Sequence, residues 1–509
     1  MSQLLLGIDI GTYSSKGVLC RPDGTIIAEA RADHDMSIPK SGYAEHDADA
    51  VWWSDFKQIA KHLADKVPQG DHIASVGGSA IGACVLPVDE NGKPLRPGIL
   101  YGVDTRAVSQ IEELEEKYSR EALVKFGGSR LTTQAVGPKI MWIKQNEPEI
   151  YRKTVKFITS TSYVIFKLTG NYVIDAHTAT EFNPLINIKT VSWDDRFAEG
   201  ITSLDQLPEI GWSDEVAGRV TAEAAAETGI PEGTPVTYGA VDALSEAVSV
   251  GVVAAGELMI MYGSTAFFIF LIDEPVPTNE LWLEAGAFKG QYEYSAGLST
   301  SGSATTWFRD QFGKDLLLAE SSGGPNAYAT LAKEAASSPI GANGLIMLPY
   351  MSGERTPIFD PKARGVIAGL SLSHTRGDVY RAVLEGTAFA IRMNLEAMQK
   401  AGAQIKHGVA VGGGASNELW LQMVSDISGI PQLLPEKTIG ASYGDAFLAG
   451  LAVGAIENLD VLKKDWVKIK QEIHPNPENK KVYDHIYPLF KDLYLQSKLV
   501  VHQLAYLQF

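Results

Sequence analysis

The first chemically informative stretch is an apolar run that is interrupted by one carboxylate and followed by a small polar turn. Residues 4–19 read LLLGIDIGTYSSKGVL, with Asp9 inside the run and Thr12 in the turn. The pattern predicts two strands joined by a tight turn. A carboxylate inside a strand is costly unless it meets a cation or hydrogen-bond donors, and such a turn presents N–H groups and hydroxyls that can surround a phosphate. The segment therefore predicts either a metal–nucleotide site or an ordinary hairpin with a satisfied Asp9.

The same design recurs near the middle of the chain. Residues 256–270 read GELMIMYGSTAFFIF, which is an apolar strand, a turn of Gly263, Ser264 and Thr265, and a second apolar strand. The second copy lacks the acid. A duplicated hairpin at the head of each half predicts two similar domains with a ligand between them.

Asp242 is the strongest candidate for a catalytic base. It follows the apolar residues 235–238 at a predicted strand-to-helix junction, where Gly239, Ala240 and Ala243 leave room around it. A base that accepts a hydroxyl proton during phosphoryl transfer needs a carboxylate without a tight ion pair. The alternative is that Asp242 only caps the following helix, which is common for Asp at such a position.

Two further small-residue turns could approach a ligand. Gly412, Gly413 and Gly414 end a predicted strand, and Asn417 follows them at the start of a helix. Glycines there let a flat ring or a phosphate come close to the backbone, but they also serve plain turns. Asn417 could bond a purine or ribose, or cap its helix. The turn at residues 301–307 enters a helix and is equally open to both interpretations.

Several enzyme classes are excluded by missing motifs. The sequence has no Gly-x-x-x-x-Gly-Lys-Ser/Thr loop and no Gly-x-Gly-x-x-Gly, which argues against P-loop ATPases, Rossmann dehydrogenases and protein kinases. Residues 77–81 approach the nucleophile elbow of hydrolases but lack its closing glycine. The ten histidines show no spacing typical of a metal site.

Composition limits the partners and the compartment. The net charge of −17 over 509 residues disfavours nucleic acid or an anionic membrane surface as a partner. Cys20 and Cys84 are too few for a disulfide framework, which is typical of a cytoplasmic protein. The start of the chain does not resemble a signal peptide, because Asp9 breaks its apolar run and no basic region precedes it. No apolar stretch reaches membrane-spanning length.

The elements that must position these residues alternate between strand and helix. Residues 73–82 predict a strand that ends in a glycine-rich turn, residues 108–167 are mostly helical in pattern, and residues 377–400 predict the clearest helix. Asp47 or Asp49 is expected to cap a helix, Asn91-Gly92 marks a hairpin, and residues 476–509 predict a helical tail. The sequence therefore predicts an α/β protein with a mixed sheet in each of two domains, 1–250 and 251–509.

Taken together, these segments resemble the FGGY family of carbohydrate kinases, in the actin-like, ribonuclease H-like superfamily. The strongest match is GVIAGL at residues 365–370 and, seven residues later, DVYRAVLE at residues 378–385, which fits the C-terminal signature of the family. Further segments match in the same order along nearly the whole chain, at residues 7–12, 239–251, 348–357, 412–417 and 444–450.

The resemblance implies two actin-like domains with a nucleotide and sugar cleft between them, and transfer of the γ-phosphoryl group of ATP to a sugar hydroxyl. It makes Asp242 the catalytic base, Asp9 the acid associated with Mg²⁺, and Thr12 part of the first phosphate turn. Likeness to glycerol kinase segments assigns a further group to ATP: Gly263, Ser264, Thr265, Gly302, Thr306, Gly413, Gly414 and Asn417. Thr306 stands where glycerol kinases carry Gln. Many members pair through the second domain, so a homodimer is an expectation from the resemblance alone.

Within the family the chain looks most similar to xylulokinases, for instance at residues 137–142 and 168–170, yet its expected sugar pocket departs from them. Xylulokinases show Gln-Met-His-Gly where this chain has Ser79, Ala80, Ile81 and Gly82, and Trp-Asn-Asp-Gly-Arg where residues 102–106 read GVDTR.

The lost imidazole and indole remove a donor and a stacking face from the expected pocket. Asp104 and Arg106 remain, either as sugar contacts or as an ion pair that holds the loop. The expected substrate is a ketopentose such as D-xylulose. The alternatives are another sugar or polyol (ribulose, gluconate or glycerol) and a catalytically weak regulator that senses sugar or nucleotide.

Overall fold

A computed structural model describes residues 2–508, and the chain forms two compact units. Unit 1 contains the residues up to Ala255 together with Leu271–Glu293 and Lys437–Lys468, and unit 2 contains Gly256–Phe270, Tyr294–Glu436 and the residues from Ile469 onward. This grouping differs from the division at residue 250 that the sequence predicts, because each unit collects segments that are distant along the chain.

Strands and helices alternate along both units, as the sequence predicts. The strands of the described chain are β1 (Gln3–Ile10), β2 (Ser14–Cys20), β3 (Ile26–Asp33), β4 (Glu45–His46), β5 (His72–Ala80), β6 (Leu86–Val88), β7 (Gly98–Ile99), β8 (Lys156–Ile158), β9 (Val173–Asp175), β10 (Ile186–Asn187), β11 (Ser192–Trp193), β12 (Glu209–Gly211), β13 (Val216–Arg219), β14 (Pro235–Thr237), β15 (Ala240–Val241), β16 (Leu258–Tyr262), β17 (Ala266–Ile272), β18 (Trp282–Ala285), β19 (Tyr292–Leu298), β20 (Ile346–Leu348), β21 (Val366–Ala368), β22 (Gly408–Val411), β23 (Gln432–Pro435) and β24 (Ile469–Ile473).

The α-helices of the same residues are α1 (Ser54–Ala64), α2 (Val108–Tyr118), α3 (Arg120–Gly127), α4 (Val136–Asn146), α5 (Pro148–Lys153), α6 (Ser160–Thr169), α7 (Ala176–Thr180), α8 (Ala222–Thr228), α9 (Asp242–Ser249), α10 (Gly302–Phe312), α11 (Lys314–Ser321), α12 (Ala327–Ser337), α13 (Arg376–Lys400), α14 (Glu418–Ser428), α15 (Ala441–Ala452) and α16 (Pro477–Ala505). None of the helices within residues 2–508 combines the length and the apolar character needed to cross a bilayer.

The main sheet of unit 1 brings three strand ends to one edge. Its order is β13-β14-β5-β1-β2-β3, with β15 also paired to β5. The hairpin partner β2 is antiparallel to β1, whereas β5 is parallel to β1 and β15 is parallel to β5, so the sheet is mixed. Asp9 lies opposite Ser79 in this register, and Ser79 lies opposite Ala240. Because parallel strands end at the same edge, Asp9 and the residue after β15, Asp242, are brought together.

Helix α15 packs directly on this sheet. The Ser75 hydroxyl donates to the carbonyl of Ala449 over 2.8 Å. A Cβ on Gly7 would stand 1.9 Å from the Ser442 carbonyl oxygen, and a Cβ on Gly77 would stand 2.1 Å from that of Asp445. Only glycine allows helix and strands to approach this closely. The close approach places the side chains of α15 beside the edge that carries Asp9.

Unit 2 also contains a mixed sheet. Strand β16 is antiparallel to β17 and parallel to β22, β22 is parallel to β23, and β23 is antiparallel to β24. The second hairpin predicted from the sequence is therefore β16 and β17. The predicted helix at residues 377–400 is α13, which begins with a capping box formed by Thr375 and Asp378. The predicted tail is α16, except that its last residue, Phe509, lies outside the described residues.

Other local predictions are confirmed in unit 1. Asp47 is the N-cap of the helical turn at Ala48–Trp53 and accepts from the N–H groups of Asp49 and Ala50. The Asn91-Gly92 turn follows β6, where the Asp89 carboxylate accepts from the Asn91 N–H. Side-chain oxygens satisfy the first N–H groups of these segments, as their sequences indicate.

Candidate active site

Asp242 is the first residue of helix α9 and not its N-cap residue. The helix begins at Asp242 itself, the N-cap residue is Val241, and the described chain shows no side-chain hydrogen bond that caps this end. One carboxylate oxygen of Asp242 accepts from the N–H of Ala243 over 2.8 Å. The helix N-terminus carries a partial positive charge that favours an anion there. Asp242 is therefore the first residue of α9 rather than its N-cap, and the N–H of Ala243 holds its carboxylate at the strand-to-helix junction.

Four carboxyl groups of unit 1 meet near the ends of β1, β5 and β15. Asp9 and Asp242 are joined there by Glu246 of α9 and Asp445 of α15. We call these four residues the carboxylate group. Ser79 connects two of its members, because its hydroxyl lies 3.1 Å from Asp9 Oδ1 and 2.7 Å from Asp445 Oδ2.

Burial and the mutual repulsion of these acids raise their pKa values. Burial raises the pKa of Asp242 to about 7, with a further contribution from Glu246. Burial, then Asp242 and Asp445, raise the pKa of Asp9 well above its ordinary value. Burial and Asp242 raise the pKa of Asp445 to about 8. A carboxyl group with a pKa near 7 can take up a proton efficiently at neutral pH, and a set of oxygen donors suits a hard cation such as Mg²⁺.

The segment expected to contact sugar is buried within unit 1. The side chains of Ser79, Ala80 and Ile81 are all buried, at the end of β5 and just after it. The Ser79 hydroxyl serves Asp9 and Asp445, as described above. The side chain of Ser79 thus has polar partners within unit 1, and the expectation that these three side chains contact substrate stays a prediction.

Asp104 and Arg106 form an ion pair that holds their loop. Arg106 Nη2 lies 2.7 Å from Asp104 Oδ2, and Arg106 Nε lies 2.9 Å from Asp104 Oδ1. Asp104 also accepts from the N–H of Ala44, and Arg106 makes a second ion pair with Glu45 at 2.8 Å. Both side chains are 0% exposed. The ion-pair alternative is therefore the observed one, and a contact of either side chain with the sugar stays a prediction.

Thr12 lies in the turn between β1 and β2, as the sequence predicts. Its hydroxyl is 3.2 Å from the Tyr101 hydroxyl. The turn is closed by a hydrogen bond from the Gly11 N–H to the Ser14 carbonyl, and a ring nitrogen of His34 lies 3.1 Å from the Gly11 carbonyl oxygen. The turn is thus held in one shape by its own backbone and by a neighbouring side chain.

Unit 2 contains a cavity of about 620 Å³, within the range of small-molecule sites. Seven of the residues assigned to ATP by the sequence line it: Gly263, Ser264, Gly302, Thr306, Gly413, Gly414 and Asn417. Thr265 is exposed and is not among the lining residues that the structure describes, and Thr12 belongs to unit 1. The small-residue turns therefore meet around one space, although they are far apart in the sequence.

Two lining glycines explain how these turns come together. A Cβ on Gly302 would stand 2.6 Å from the Gly263 carbonyl oxygen, and one on Gly414 would stand 2.8 Å from the Trp420 ring. A Cβ on Gly413, by contrast, would meet no atom within 4 Å. Gly413 thus leaves open space at the cavity wall, which a larger residue would fill.

Two polar lining residues already have partners. Asn417 is the N-cap of α14, because its side-chain oxygen accepts from the Trp420 N–H over 3.2 Å. The Thr306 hydroxyl lies 2.8 Å from the Tyr328 hydroxyl and 3.2 Å from the Gly302 carbonyl oxygen. The capping interpretation of Asn417 is therefore confirmed, while its amide remains part of the cavity lining.

Sequence reasoning missed several residues of both regions. In unit 2 the cavity is completed by Tyr262, Thr305, Asn326, Tyr328, Tyr380, Ser416 and Trp420, none of which the sequence assigned to ATP. In unit 1 it missed Asp445, although a signal was present. Asp445 is the one charged residue in the otherwise apolar or small sequence ASYGDAFLAGLA of α15. A buried carboxylate in such a helix needs specific partners, which here are Ser79 and Ser245.

The chain matches known proteins over nearly its whole length. Residues 4–249 match the N-terminal domain, and residues 258–453 the C-terminal domain, of the FGGY family of carbohydrate kinases. A xylulose kinase of Bacillus subtilis is 27% identical, with 97% of each chain covered. A gluconokinase of Bacillus licheniformis is 29% identical, with 97% of this chain and 96% of that protein covered.

A solved structure agrees with these sequence matches. The crystal structure of a xylulose kinase from Rhodospirillum rubrum has a TM-score of 0.90 at 30% identity, with 98% of this chain and 100% of that chain covered. Its two-domain fold of mixed sheets and helices is the fold described above. The chain belongs to the FGGY family of carbohydrate kinases, and it is an enzyme that uses ATP to phosphorylate a sugar.

Proposed function

We propose that this kinase transfers the γ-phosphoryl group of ATP to a hydroxyl of a ketopentose such as D-xylulose, with Asp242 as the base that accepts the hydroxyl proton. The observation that carries the proposal is the state of Asp242. It is the first residue of α9 rather than its N-cap, and burial raises its pKa to about 7. A base whose pKa lies near the working pH is well matched to proton transfer.

Asp9 is the residue that would hold Mg²⁺. Its carboxylate is crowded by Asp242 and Asp445, and burial together with these neighbours raises its pKa. A divalent cation would relieve this repulsion, and carboxylate oxygens are ligands that Mg²⁺ prefers. When bound, Mg²⁺ neutralises charge on the phosphates of ATP. In this proposal Ser79 orients Asp9 through its hydrogen bond rather than contacting the sugar.

The cavity of unit 2 is the proposed ATP site. Its volume of about 620 Å³ suits a nucleotide, and the open space beside Gly413 lets a flat ring approach the backbone. Gly263, Ser264 and Gly302 line this cavity, and the positive end of α10, which begins at Gly302, favours a phosphate there. Thr12 of unit 1 is proposed as a further phosphate contact, because its turn repeats the design of residues 263–265.

D-xylulose is proposed first because relatives named xylulose kinase match the full chain. D-gluconate is the second candidate, because a relative named gluconokinase is as similar, at 29% identity against 27%. The sequence at residues 79–82 favours neither, since it lacks the imidazole that xylulokinases usually carry there.

A substrate panel tests the proposal. ATP consumption is measured with D-xylulose, D-ribulose, D-gluconate and glycerol, each across a range of concentrations, against a control without acceptor. The highest kcat/KM is expected with D-xylulose. A higher value with D-gluconate would replace D-xylulose in the proposal. Binding of a sugar without stimulated ATP consumption would favour a sensing regulator and would contradict the proposed function.

A further inference from the structure

A second group of ionisable side chains is buried in unit 1. His177 lies on α7, Glu284 on β18 and Glu293 at the start of β19. One potential ligand atom of each residue lies within 4.8 Å of the others. His177 Nε2 lies 3.6 Å from Glu293 Oε1. None of the three belongs to the carboxylate group around Asp242.

Glu293 makes no hydrogen bond through its carboxylate and no ion pair with Lys or Arg among residues 2–508. Its side chain is 0% exposed, and neither carboxylate oxygen has a hydrogen-bond partner. The Nδ1 atom of His177 is also buried without a partner, as is one carboxylate oxygen of the neighbouring Glu181. Buried polar groups are normally hydrogen-bonded, so several exceptions in one place require an explanation. An ionised carboxylate buried in this way is stable only when a cation compensates it.

The nearby basic side chains do not supply this compensation to Glu293. The buried Lys139 influences Glu181, but its ammonium donates to the Leu100 carbonyl over 2.7 Å. Arg130 lines a small cavity together with Glu181 and Glu284, and Glu293 is not among the lining residues described. Glu293 therefore faces the imidazole of His177 with no Lys or Arg ion pair among residues 2–508.

We propose that His177, Glu284 and Glu293 bind one divalent ion of the first transition series, of the zinc, cobalt or manganese class. Imidazole together with carboxylates suits these ions, whereas Mg²⁺ and Ca²⁺ prefer oxygen ligands alone. Two ligand atoms at ~2.0–2.2 Å from a tetrahedral ion lie roughly 3.3–3.6 Å apart. The observed 3.6 Å between His177 and Glu293 fits this spacing.

A small cavity borders Glu284, one of the three proposed ligands. It measures about 20 Å³ and borders Glu284 and Glu181, which is room for a water molecule. Three protein ligands and one water make a four-coordinate site. The ion would connect α7 to β18 and β19, which follow it by more than one hundred residues in the sequence. This spacing explains why no local histidine motif marks the site.

Cobalt titration tests the proposal. The full chain is freed of metal with a chelator and titrated with Co²⁺, whose visible absorption reports coordination by nitrogen and oxygen. We expect one Co²⁺ per chain, displaced by Zn²⁺ but not by millimolar Mg²⁺. Glu293→Gln keeps the side-chain shape and removes the charge, and it is expected to weaken Co²⁺ binding at least about tenfold. His177→Gln is expected to do the same.

Two controls separate this site from others. Glu149→Gln removes an exposed carboxylate from another helix of unit 1 and is expected to bind Co²⁺ like the unaltered chain. Asp9→Asn alters the proposed Mg²⁺ position and is also expected to retain the Co²⁺ absorption. Circular dichroism of each variant verifies folding, so that Glu293→Gln remains informative if His177→Gln does not fold.

Two results would overturn the proposal. One is the absence of bound Co²⁺ and Zn²⁺ in the folded, unaltered chain, which would mean that protons alone neutralise the cluster. The other is equal Co²⁺ affinity in the unaltered chain and in Glu293→Gln. Neither result depends on kinase activity, so the failure of this inference and the failure of the proposed function are distinguishable.

Discussion

Asp242 is subject to two opposing effects on its pKa. It stands at the start of α9, where the helix favours its anion, and burial nevertheless raises its pKa to about 7. The second effect is the larger one, so the carboxyl group is partly protonated at neutral pH. Its protonation state therefore controls how much enzyme can accept a proton from the sugar hydroxyl.

This property predicts a pH-dependent rate. Because only the deprotonated Asp242 can act as a base, kcat/KM for the sugar should rise with pH up to about 7 and level off above it. Below the pKa we expect a fall of about tenfold per pH unit. Initial rates between pH 5 and 9, with MgATP saturating, measure this profile. A rate that is constant between pH 5.5 and 8 would contradict the assignment.

Asp445 predicts a pH effect on stability. Its folded-state pKa of about 8 lies above its ordinary value of 3.8. Its contribution to stability is therefore present at low pH and is lost as the pH rises between these values, by about 1.4 kcal/mol per pH unit. Asp445→Asn should remove this loss, so that its urea midpoint falls less than that of the unaltered chain between pH 5 and 8.

Urea unfolding at pH 5, 6, 7 and 8 measures the difference between the two chains. The exposed Asp33, changed to Asn, is the matched control and should follow the unaltered chain at every pH. Parallel curves for Asp445→Asn and the unaltered chain would show that folding does not raise the pKa of Asp445.

At the scale of residues, the sequence predicted the two acids but not their neighbourhood. Asp9 and Asp242 stand out because each interrupts a pattern locally. The role of Ser79 depends on Asp445, which is more than three hundred residues away in the sequence, so no local pattern could reveal it. The accessibility of Asp104 could not be predicted either, because it depends on Ala44 and the loop that covers it.

At the scale of elements, the packing of α15 on β1 and β5 positions Asp445. This packing requires glycine on the strand faces that contact the helix, as at Gly77, where a Cβ would stand 2.1 Å from the Asp445 carbonyl oxygen. The adjacent Gly78 points its missing Cβ the other way, where the nearest atom is 3.7 Å distant. A Cβ would therefore clash at Gly77, whereas Gly78 has room for one.

Substitution of these glycines tests the packing. Gly77→Ala forces α15 away from the sheet and should lower the free energy of unfolding by about 1–3 kcal/mol or more. Gly78→Ala meets only ordinary contact and should change it by less than about 0.5 kcal/mol. Denaturant unfolding of both variants measures the effect. Equal losses in the two variants would mean that α15 does not pack as closely as described.

The elements themselves were well predicted where their periodicity is strong. The two hairpins and helix α13 follow directly from alternating or three-to-four-residue apolar spacing. The aromatic lining of the unit 2 cavity, such as Tyr328 and Tyr380, could not be predicted. These residues lie on helices whose relative packing, rather than their own sequence, turns them toward the cavity.

At the scale of the whole molecule, the chain order and the compact units do not coincide. Unit 1 needs Lys437–Lys468, which contains α15, although this segment follows most of unit 2 in the sequence. The sequence predicted one boundary near residue 250, because apolar periodicity shows where elements lie but not which elements share a core.

This arrangement predicts that residues 1–250 do not fold stably alone. Without α15 the fragment exposes apolar side chains such as Leu5 and Val248, which share a buried cluster with Phe447. We expect thermal unfolding of the fragment, followed by circular dichroism, to lack a cooperative transition. A matched fragment that carries residues 437–468 through a flexible linker should regain cooperativity. A cooperative transition in the shorter fragment would contradict this description of unit 1.

The central claim concerns the whole enzyme, since turnover requires ATP, sugar and the base together. The most direct measurement is the turnover of Asp242→Asn with its best sugar acceptor, alongside its affinity for ATP. The asparagine keeps the shape of the side chain but cannot accept the proton. We predict unchanged ATP affinity and a turnover lowered by roughly 10²–10⁴-fold. Turnover equal to that of the unaltered enzyme would contradict the assignment of Asp242 as the catalytic base.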